Sequence, residues 1–279
     1  MNNDDLVAGT IVTLSPGVRR LIAPNAGMMT GPGTNTYLLG ERSIAVIDPG
    51  PAIDTHIQNL IDAAAAPIRW ILVTHTHPDH SPAAMALAKA TGAETLGIPA
   101  PQGRHQDQTF VPDRILTDGE LFSTDEFELE VVHTPGHASN HLCYLQTECR
   151  WLFTGDHIIN GSTVVIDPPD GSMSDYIQSL QKLKTMKIDA FAPGHGAVLD
   201  NVQKALDWII SHRLQRESKV VEKLMAHPAT SLAELVVHVY DDVNASLHTL
   251  AERSLLAHLL KLELDGRAVR QEDRWHPKK

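Results

Sequence analysis

Residues 74 to 80 read Thr74-His75-Thr76-His77-Pro78-Asp79-His80, directly after the apolar, strand-like run Trp70-Ile71-Leu72-Val73. Three imidazoles and a carboxylate packed together at a strand end form a donor set that zinc accepts. His75 and His77 stand two apart in extended chain, where alternate side chains share a face, so both can point toward one ion. Asp79 and His80 are then available to a second. In a chain with 16 histidines a His-x-His pair alone is equally a polar turn. Asp79 and His80 at fixed spacing favour the metal reading, and that reading requires further ligands downstream.

Residues of the right type do recur where strands should end. Residues 127–132 (Phe-Glu-Leu-Glu-Val-Val) alternate like a half-buried strand until His133-Thr134-Pro135-Gly136-His137 breaks it. The buried-strand run Trp151-Leu152-Phe153-Thr154 stops at Gly155-Asp156, and Asp189-Ala190-Phe191-Ala192 stops at Pro193-Gly194-His195-Gly196. His137, Asp156 and His195 are the candidates. Each alone is common loop chemistry; together they repeat one pattern of apolar strand, tight turn and metal-type side chain.

The order His75-x-His77-x-Asp79-His80, Thr134-Pro135-Gly136-His137, Thr154-Gly155-Asp156 and Pro193-Gly194-His195-Gly196 resembles the metallo-β-lactamase superfamily, and Ala45-Val46-Ile47-Asp48-Pro49-Gly50 is similar to its first motif. The resemblance implies an α/β fold, a four-layer αβ/βα sandwich, with a two-metal site on its strand-end loops. It implies that His75, His77 and His137 hold one ion, that Asp79, His80 and His195 hold the other, and that Asp156 bridges them. Asp48 is then a buried outer acid that orients a ligand. Two zinc ions per chain are the implied cofactors, with iron or manganese as alternatives. A narrower resemblance, to the β-lactamase-like protein 2 group, rests on Gly33-Thr34-Asn35-Thr36-Tyr37-Leu38, on Gly161-Ser162-Thr163-Val164-Val165 after Asp156, and on Ile-Ile-Ser-His-Arg at 209–213. That group includes a human endoribonuclease acting on single-stranded RNA, and related fungal thioesterases that release polyketides from carrier proteins. Fold and metals transfer; substrate does not.

The 279 residues, 42% hydrophobic and 20% charged, suffice for one large domain and a small one, expected at 1–215 and 216–279. No transmembrane span fits. The N-terminus, Met1-Asn2-Asn3-Asp4-Asp5, is acidic where a signal peptide is basic, so the expected location is cytoplasmic and a periplasmic antibiotic-hydrolysing enzyme is disfavoured. Cys143 and Cys149 flank a hairpin and read as core packing rather than as a disulfide.

To about residue 200 strands and helices alternate. Ser81-Pro82 reads as the opening of an alanine-rich helix that Thr91-Gly92 ends, which would put His80 at a helix N-terminus. Asp167-Pro168-Pro169-Asp170-Gly171 reads as a rim loop of the active site, with Ser172 or Ser174 capping the next helix. From Asn201 the pattern turns helical, with Val202, Leu206, Ile209 and Ile210 at helical spacing. Ser231-Leu232-Ala233-Glu234 reads as a capping box, 249–264 as a further helix and 265–275 as a hairpin, giving a winged-helix-like module. Its last helix carries Glu252, Arg253, Lys261, Glu263 and Asp265 and is no basic recognition face. With a formal net charge of −11, packing or homodimer formation is the favoured role over nucleic-acid binding.

The expected activity is hydrolysis by a metal-bound hydroxide, with Asp79 and Asp156 as the catalytic carboxylates, on an acyl thioester or ester of an anionic small molecule. Single-stranded RNA is the alternative substrate. A mononuclear iron dioxygenase, using His75, His77 and His137, and a non-enzymic metal-binding module are the other readings. His141 and Tyr176 are the weak candidates for substrate contact, Tyr176 by its approximate likeness to a glyoxalase II tyrosine.

Overall fold

Runs rich in Val, Ile and Leu pair into two sheets. The computed structural model describes residues 6–103 and 105–278; residues 1–5, on which the no-export expectation rests, lie outside them. The first sheet runs in chain order through β1 (Ile11–Ser15), β2 (Val18–Ile22), β3 (Asn35–Leu39), β4 (Ile44–Ile47), β5 (Ile68–Leu72), β6 (Glu94–Gly97) and β7 (Arg114–Ile115). It is antiparallel up to β4 and parallel from β4 onward. Parallel neighbours need long crossovers, supplied here by α1 (Asp54–Ala64) between β4 and β5 and α2 (Ala84–Thr91) between β5 and β6. The second sheet comprises β8 (Leu121–Ser123), β9 (Glu128–His133), β10 (Leu142–Gln146), β11 (Trp151–Gly155) and β12 (Ala190–Pro193), in the order β12-β11-β10-β9-β8. Only β11 and β12 pair in parallel.

The two sheets share one core. Tyr37, Leu39, Ile47 and Leu72 of the first pack with Leu129, Val131, Tyr144 and Phe153 of the second, and the Tyr37 and Phe153 rings meet edge to face at 5.0 Å. Leu38, Val46 and Ile71 point the other way, against Leu60 and Ala64 of α1 and Leu87 of α2. Both β3 and β4 are buried along their length, and β4, Ile-Ala-Val-Ile, is a continuous apolar run. Neither cysteine is in a disulfide among the described residues; Cys143 is buried in β10, as its packing role predicts.

Two compact units divide the chain, the first holding both sheets. The second takes in 135–139, 165–185 and the residues from 203 onward. It contains α3 (Met173–Lys184), most of α4 (Val202–Ala226), α5 (Leu232–Val239), α6 (His248–Leu264) and the hairpin of β13 (Ala268–Gln271) and β14 (Arg274–Pro277). Val220 and Leu224 of α4, Leu235 and Val239 of α5, Leu255, Leu259 and Leu262 of α6, and Trp275 form its core. This is the winged-helix arrangement. α6 is its packing centre, and Glu217 of α4 is bonded to Lys261 and Arg267, each at 3.0 Å. The expected boundary at 215/216 falls inside α4, one unbroken helix, and the second unit also recruits segments from the middle of the chain. Among the described residues no helix is long and apolar enough to cross a membrane.

One local expectation fails. Ser81 does not cap α2, which begins at Ala84 without a side-chain cap; its hydroxyl donates instead to Asp107 Oδ2 at 2.7 Å. His80 therefore sits in the turn before the helix and not at its N-terminus. Ser172 does cap α3, accepting from Asp175 N at 3.3 Å, and the Ser231–Glu234 capping box is complete. Replacing Ser231 by Ala leaves the Glu234 amide of α5 without its acceptor and should lower unfolding stability by about 1 kcal/mol. Chemical denaturation with an unchanged midpoint would refute that role for the cap.

Candidate metal centre

Strand ends deliver the donors. Asp48 follows β4, the His75 to His80 stretch follows β5, Asp156 follows β11 and His195 follows β12. Ligand-type atoms of Asp79, His80 and His195 lie within 4.8 Å of one another, as do those of His75, His77 and Asp156. Asp156 faces both groups, since its Oδ1 is also 3.4 Å from His80 Nε2 and 3.3 Å from His195 Nε2. The turn that carries His195 needs glycine at 194, where a Cβ would stand 2.7 Å from His80 Cε1 and 2.9 Å from Asp156 Oδ1.

Hydrogen bonding fixes which nitrogen each ring presents. Asp48 accepts from Thr74 N and Thr74 Oγ1, each at 2.7 Å, and from His80 Nδ1 at 2.8 Å. Because the single Thr74 hydroxyl proton goes to Asp48, His75 Nδ1, 3.0 Å from that oxygen, must donate to it. His195 Nδ1 donates to Gly33 O at 3.2 Å. In all three rings Nδ1 carries the proton, and Nε2 is the nitrogen turned to the donor group. His77 differs, presenting Nδ1 at 2.9 Å from His75 Nε2. His137 lies on segment 135–139 of the second unit, where its Nδ1 donates to Val165 O at 2.7 Å, so it has the same tautomer.

Asp48 itself has a left-handed backbone, φ 51°, rare for a residue with a Cβ. Asp48 N donates to Leu72 O at 2.9 Å, and Thr36 Oγ1 donates to Asp48 O at 2.7 Å. This strained position is held where the carboxylate is needed.

Burial disfavours charge on His80 and His195, but Asp79 and Asp156 overcome it, raising His195 to about 10 and His80 well above its ordinary value. Burial would raise Asp79, yet His80 and His195 draw it down to about 2, and Asp156 falls well below the usual carboxylate range for the same reason. His75 goes the other way, lowered by burial and then by its neighbours His80, His77 and His141. The cluster therefore calls for positive charge between its carboxylates. His80 Nε2 is fully buried, with no hydrogen-bond partner and two carboxylate oxygens at 3.4 Å. Imidazole and carboxylate donors with an unsatisfied buried nitrogen among them fit a divalent cation.

His141 and Tyr176, the weak candidates for substrate contact, are both fully buried. His141 Nε2 accepts from Asp156 N at 3.2 Å, so its Nδ1 donates to Thr134 Oγ1 at 2.9 Å, and its ring stacks on His75. This histidine braces two of the donors. The Tyr176 ring lies under the Arg213 guanidinium, 5.2 Å from its centroid, within the second unit. Thr34, whose hydroxyl donates to Asp79 Oδ2 at 3.2 Å, entered the sequence reading only as part of a family-resemblance stretch, with no role at the site. A polar residue near a strand start carries no spacing signal.

Residues 29–195 match the metallo-beta-lactamase superfamily, and residues 231–275 match the beta-lactamase associated winged helix domain. A beta-lactamase-like protein 2 homolog of Drosophila melanogaster is 31% identical over 272 residues, 92% of this chain and 91% of its own. An atrochrysone carboxyl ACP thioesterase of Aspergillus fumigatus is 31% identical over 251 residues, 84% of this chain and 76% of its own. The crystal structure of a beta-lactamase domain protein from Burkholderia ambifaria gives a TM-score of 0.83 at 22% identity, over 97% of this chain and 94% of that one. At that identity the likeness speaks for the fold alone.

Two predictions follow from the electrostatics. With His80 and His195 raised, both rings hold a second proton at pH 7 in the absence of an ion, on the Nε2 that an ion would take, so zinc uptake must displace protons and weaken as pH falls. Calorimetric titration in two buffers of different ionisation enthalpy should show release of at least one proton; identical apparent enthalpies would contradict it. Asp48→Asn removes the carboxylate that holds His80 and should weaken zinc binding by roughly 10- to 100-fold, measured by competition with a chromophoric chelator.

Proposed function

Because the chain belongs to the metallo-beta-lactamase superfamily, we propose that it is a hydrolase that holds two zinc ions and cleaves an acyl thioester of an anionic small molecule. The observation that carries the two-ion reading is the pair of donor groups on either side of Asp156. In this reading His75, His77 and His137 hold one ion, Asp79, His80 and His195 the other, and Asp156 touches both. The place of His137 comes from the Thr134-Pro135-Gly136-His137 motif and from its presented Nε2. Divalent ions bound there supply Lewis acidity, polarising a substrate oxygen and lowering the pKa of water.

The chain's own groups complete the chemistry. Asp79 is the most open of the carboxylates and imidazoles of the second group, its side chain 26% exposed against 6% for His195 and 0% for His80. It is the carboxylate an incoming water meets, and Asp79 orients that water by accepting its hydrogen bond. His141 keeps Asp156 in place through the Asp156 amide. Depressed as they are, Asp79 and Asp156 stay ionised throughout the neutral range.

Two features favour an acyl group over a polynucleotide. Met28 and Met29, 78% and 52% exposed, cap a tight hairpin closed by Gly27 N to Gly31 O at 3.1 Å and Gly31 N to Gly27 O at 2.8 Å. That hairpin leads within a few residues to Thr34 and its bond to Asp79. Flexible, polarisable methionines suit an apolar acyl chain. The net charge of −11 opposes long-range attraction of RNA. The thioesterase among the relatives points the same way.

The test is a side-by-side assay of the zinc-loaded protein and its Asp79→Ala variant on a panel of acyl thioesters and a labelled single-stranded RNA. Thioester turnover that falls at least 100-fold in the variant, without RNA cleavage, is expected. RNA cleavage that vanishes in the variant would replace this reading, as would a single tightly bound iron with consumption of dioxygen. Asp156→Ala should lose both bound metal and most turnover; intact metal content and rate would remove the bridge.

A further inference from the structure

The second donor group is gripped by a segment that supplies none of its ligands. Residues 23–34, between β2 and β3, fold back on themselves: Ala23 N donates to Thr34 O at 2.8 Å, Gly33 N to Thr30 O at 3.0 Å, and Thr30 Oγ1 to Asn25 O at 2.6 Å. At the base of this loop Asn25 and Thr34 are joined twice. Asn25 Nδ2 donates to Thr34 Oγ1 and Thr34 N donates to Asn25 Oδ1, both at 2.9 Å.

This pairing directs the threonine proton. With Asn25 donating into its oxygen, the hydroxyl of fully buried Thr34 sends its single proton to Asp79 Oδ2 at 3.2 Å. The same carboxylate oxygen stands 3.2 Å from His195 Nε2 and 3.4 Å from His80 Nε2. The neighbouring carbonyl, Gly33 O, takes the Nδ1 proton of His195. Position 33 must be glycine for this approach, since at φ 134° a Cβ would lie 2.1 Å from Ala23 O. Each of the three donors thus has an orienting partner: Asp48 for His80, Gly33 O for His195 and Thr34 for Asp79.

We infer that Asn25 and Thr34 are positioning residues that fix the Asp79 carboxylate, so that the 25–34 loop sets how tightly the second ion is held. This rests on the two-ion reading above. A free aspartate can swing either oxygen away at the cost of a rotamer change; one pinned through Oδ2 cannot, and outer partners of this kind are worth about 10- to 100-fold in metal affinity.

The experiment compares Thr34→Val, which keeps the shape and the backbone bond to Asn25 but removes the hydroxyl, with Thr34→Ser, which restores it. Zinc affinity is read by chelator competition, alongside turnover as a function of added zinc and the far-ultraviolet circular dichroism spectrum. We expect Thr34→Val to fold as wild type, to bind the first ion unchanged and the second about tenfold or more weakly, and to regain most of kcat at saturating zinc. Thr34→Ser should lie within about twofold of wild type. The inference is overturned if Thr34→Val holds the second ion as tightly as wild type, if it loses both ions together, or if Thr34→Ser is equally impaired. A wild-type chain that binds a single ion would instead overturn the two-ion reading itself.

Discussion

The Asp48 carboxylate holds the site together. Its two oxygens take three donors, the Thr74 amide, the Thr74 hydroxyl and His80 Nδ1, while its backbone sits in the left-handed region at the end of β4. Through Thr74 it sets the tautomer of His75; directly, it sets that of His80. One buried acid thereby joins β4 to the loop after β5 and decides which nitrogen two donors present. Asp48 lies outside both donor groups, yet exchanging its oxygen for an amide would misdirect residues in each.

The second unit contributes more than an appendage. His137 belongs to it, and the Val165 carbonyl that receives the His137 proton begins the segment that runs through Asp167 into α3. Asp167 is bonded to Arg253 of α6 at 3.2 Å. Within one compact unit, then, a histidine of the ligand motif and the central helix of the winged-helix core are a few bonded residues apart. The solvated Arg253–Asp167 pair is worth little by itself, about 0 to 1 kcal/mol, so the apolar core around Leu255, Leu259 and Trp275 carries most of the ordering. α6 packs Leu255, Leu259 and Leu262 into that core.

Strand ends were legible because apolar runs stop at Gly or Pro and leave a His or Asp behind, as at Gly155-Asp156 and Pro193-Gly194-His195, or pass directly into His-rich sequence, as Trp70-Ile71-Leu72-Val73 does at Thr74-His75. Residue type and spacing also marked the seven candidate ligands, whereas the outer role of Asp48 was what the family resemblance implied. What remained hidden depends on contacts distant in the chain. Ser81 looks like a helix cap until Asp107 takes its hydroxyl. His141 was legible only as a weak substrate contact; the bond from the Asp156 amide to its Nε2 makes it instead a brace for that carboxylate. Asn25 and Thr34 are nine positions apart and meet only because the loop folds over Gly33. Position 215/216 looked like a boundary because the texture of the sequence changes nearby, yet α4 passes through it and its far half supplies Val220 and Leu224 to the second core.

Charge ties these observations together. A protein of net charge −11 repels anions at a distance, and its donor cluster without ions answers its own carboxylates by holding protons on His80 and His195. Divalent cations replacing those protons bring more positive charge than they displace, and they bring it to a buried place where water screens it weakly. Local attraction for an oxyanion thus exists only when the ions are in place, against a surface that disfavours long polyanions. In the two-ion reading proposed above, whatever holds the second ion, from Asp48 to the Asn25 and Thr34 pair, would also govern whether the centre can stabilise negative charge, and ion retention and catalytic competence would be one property of the loops that end these strands.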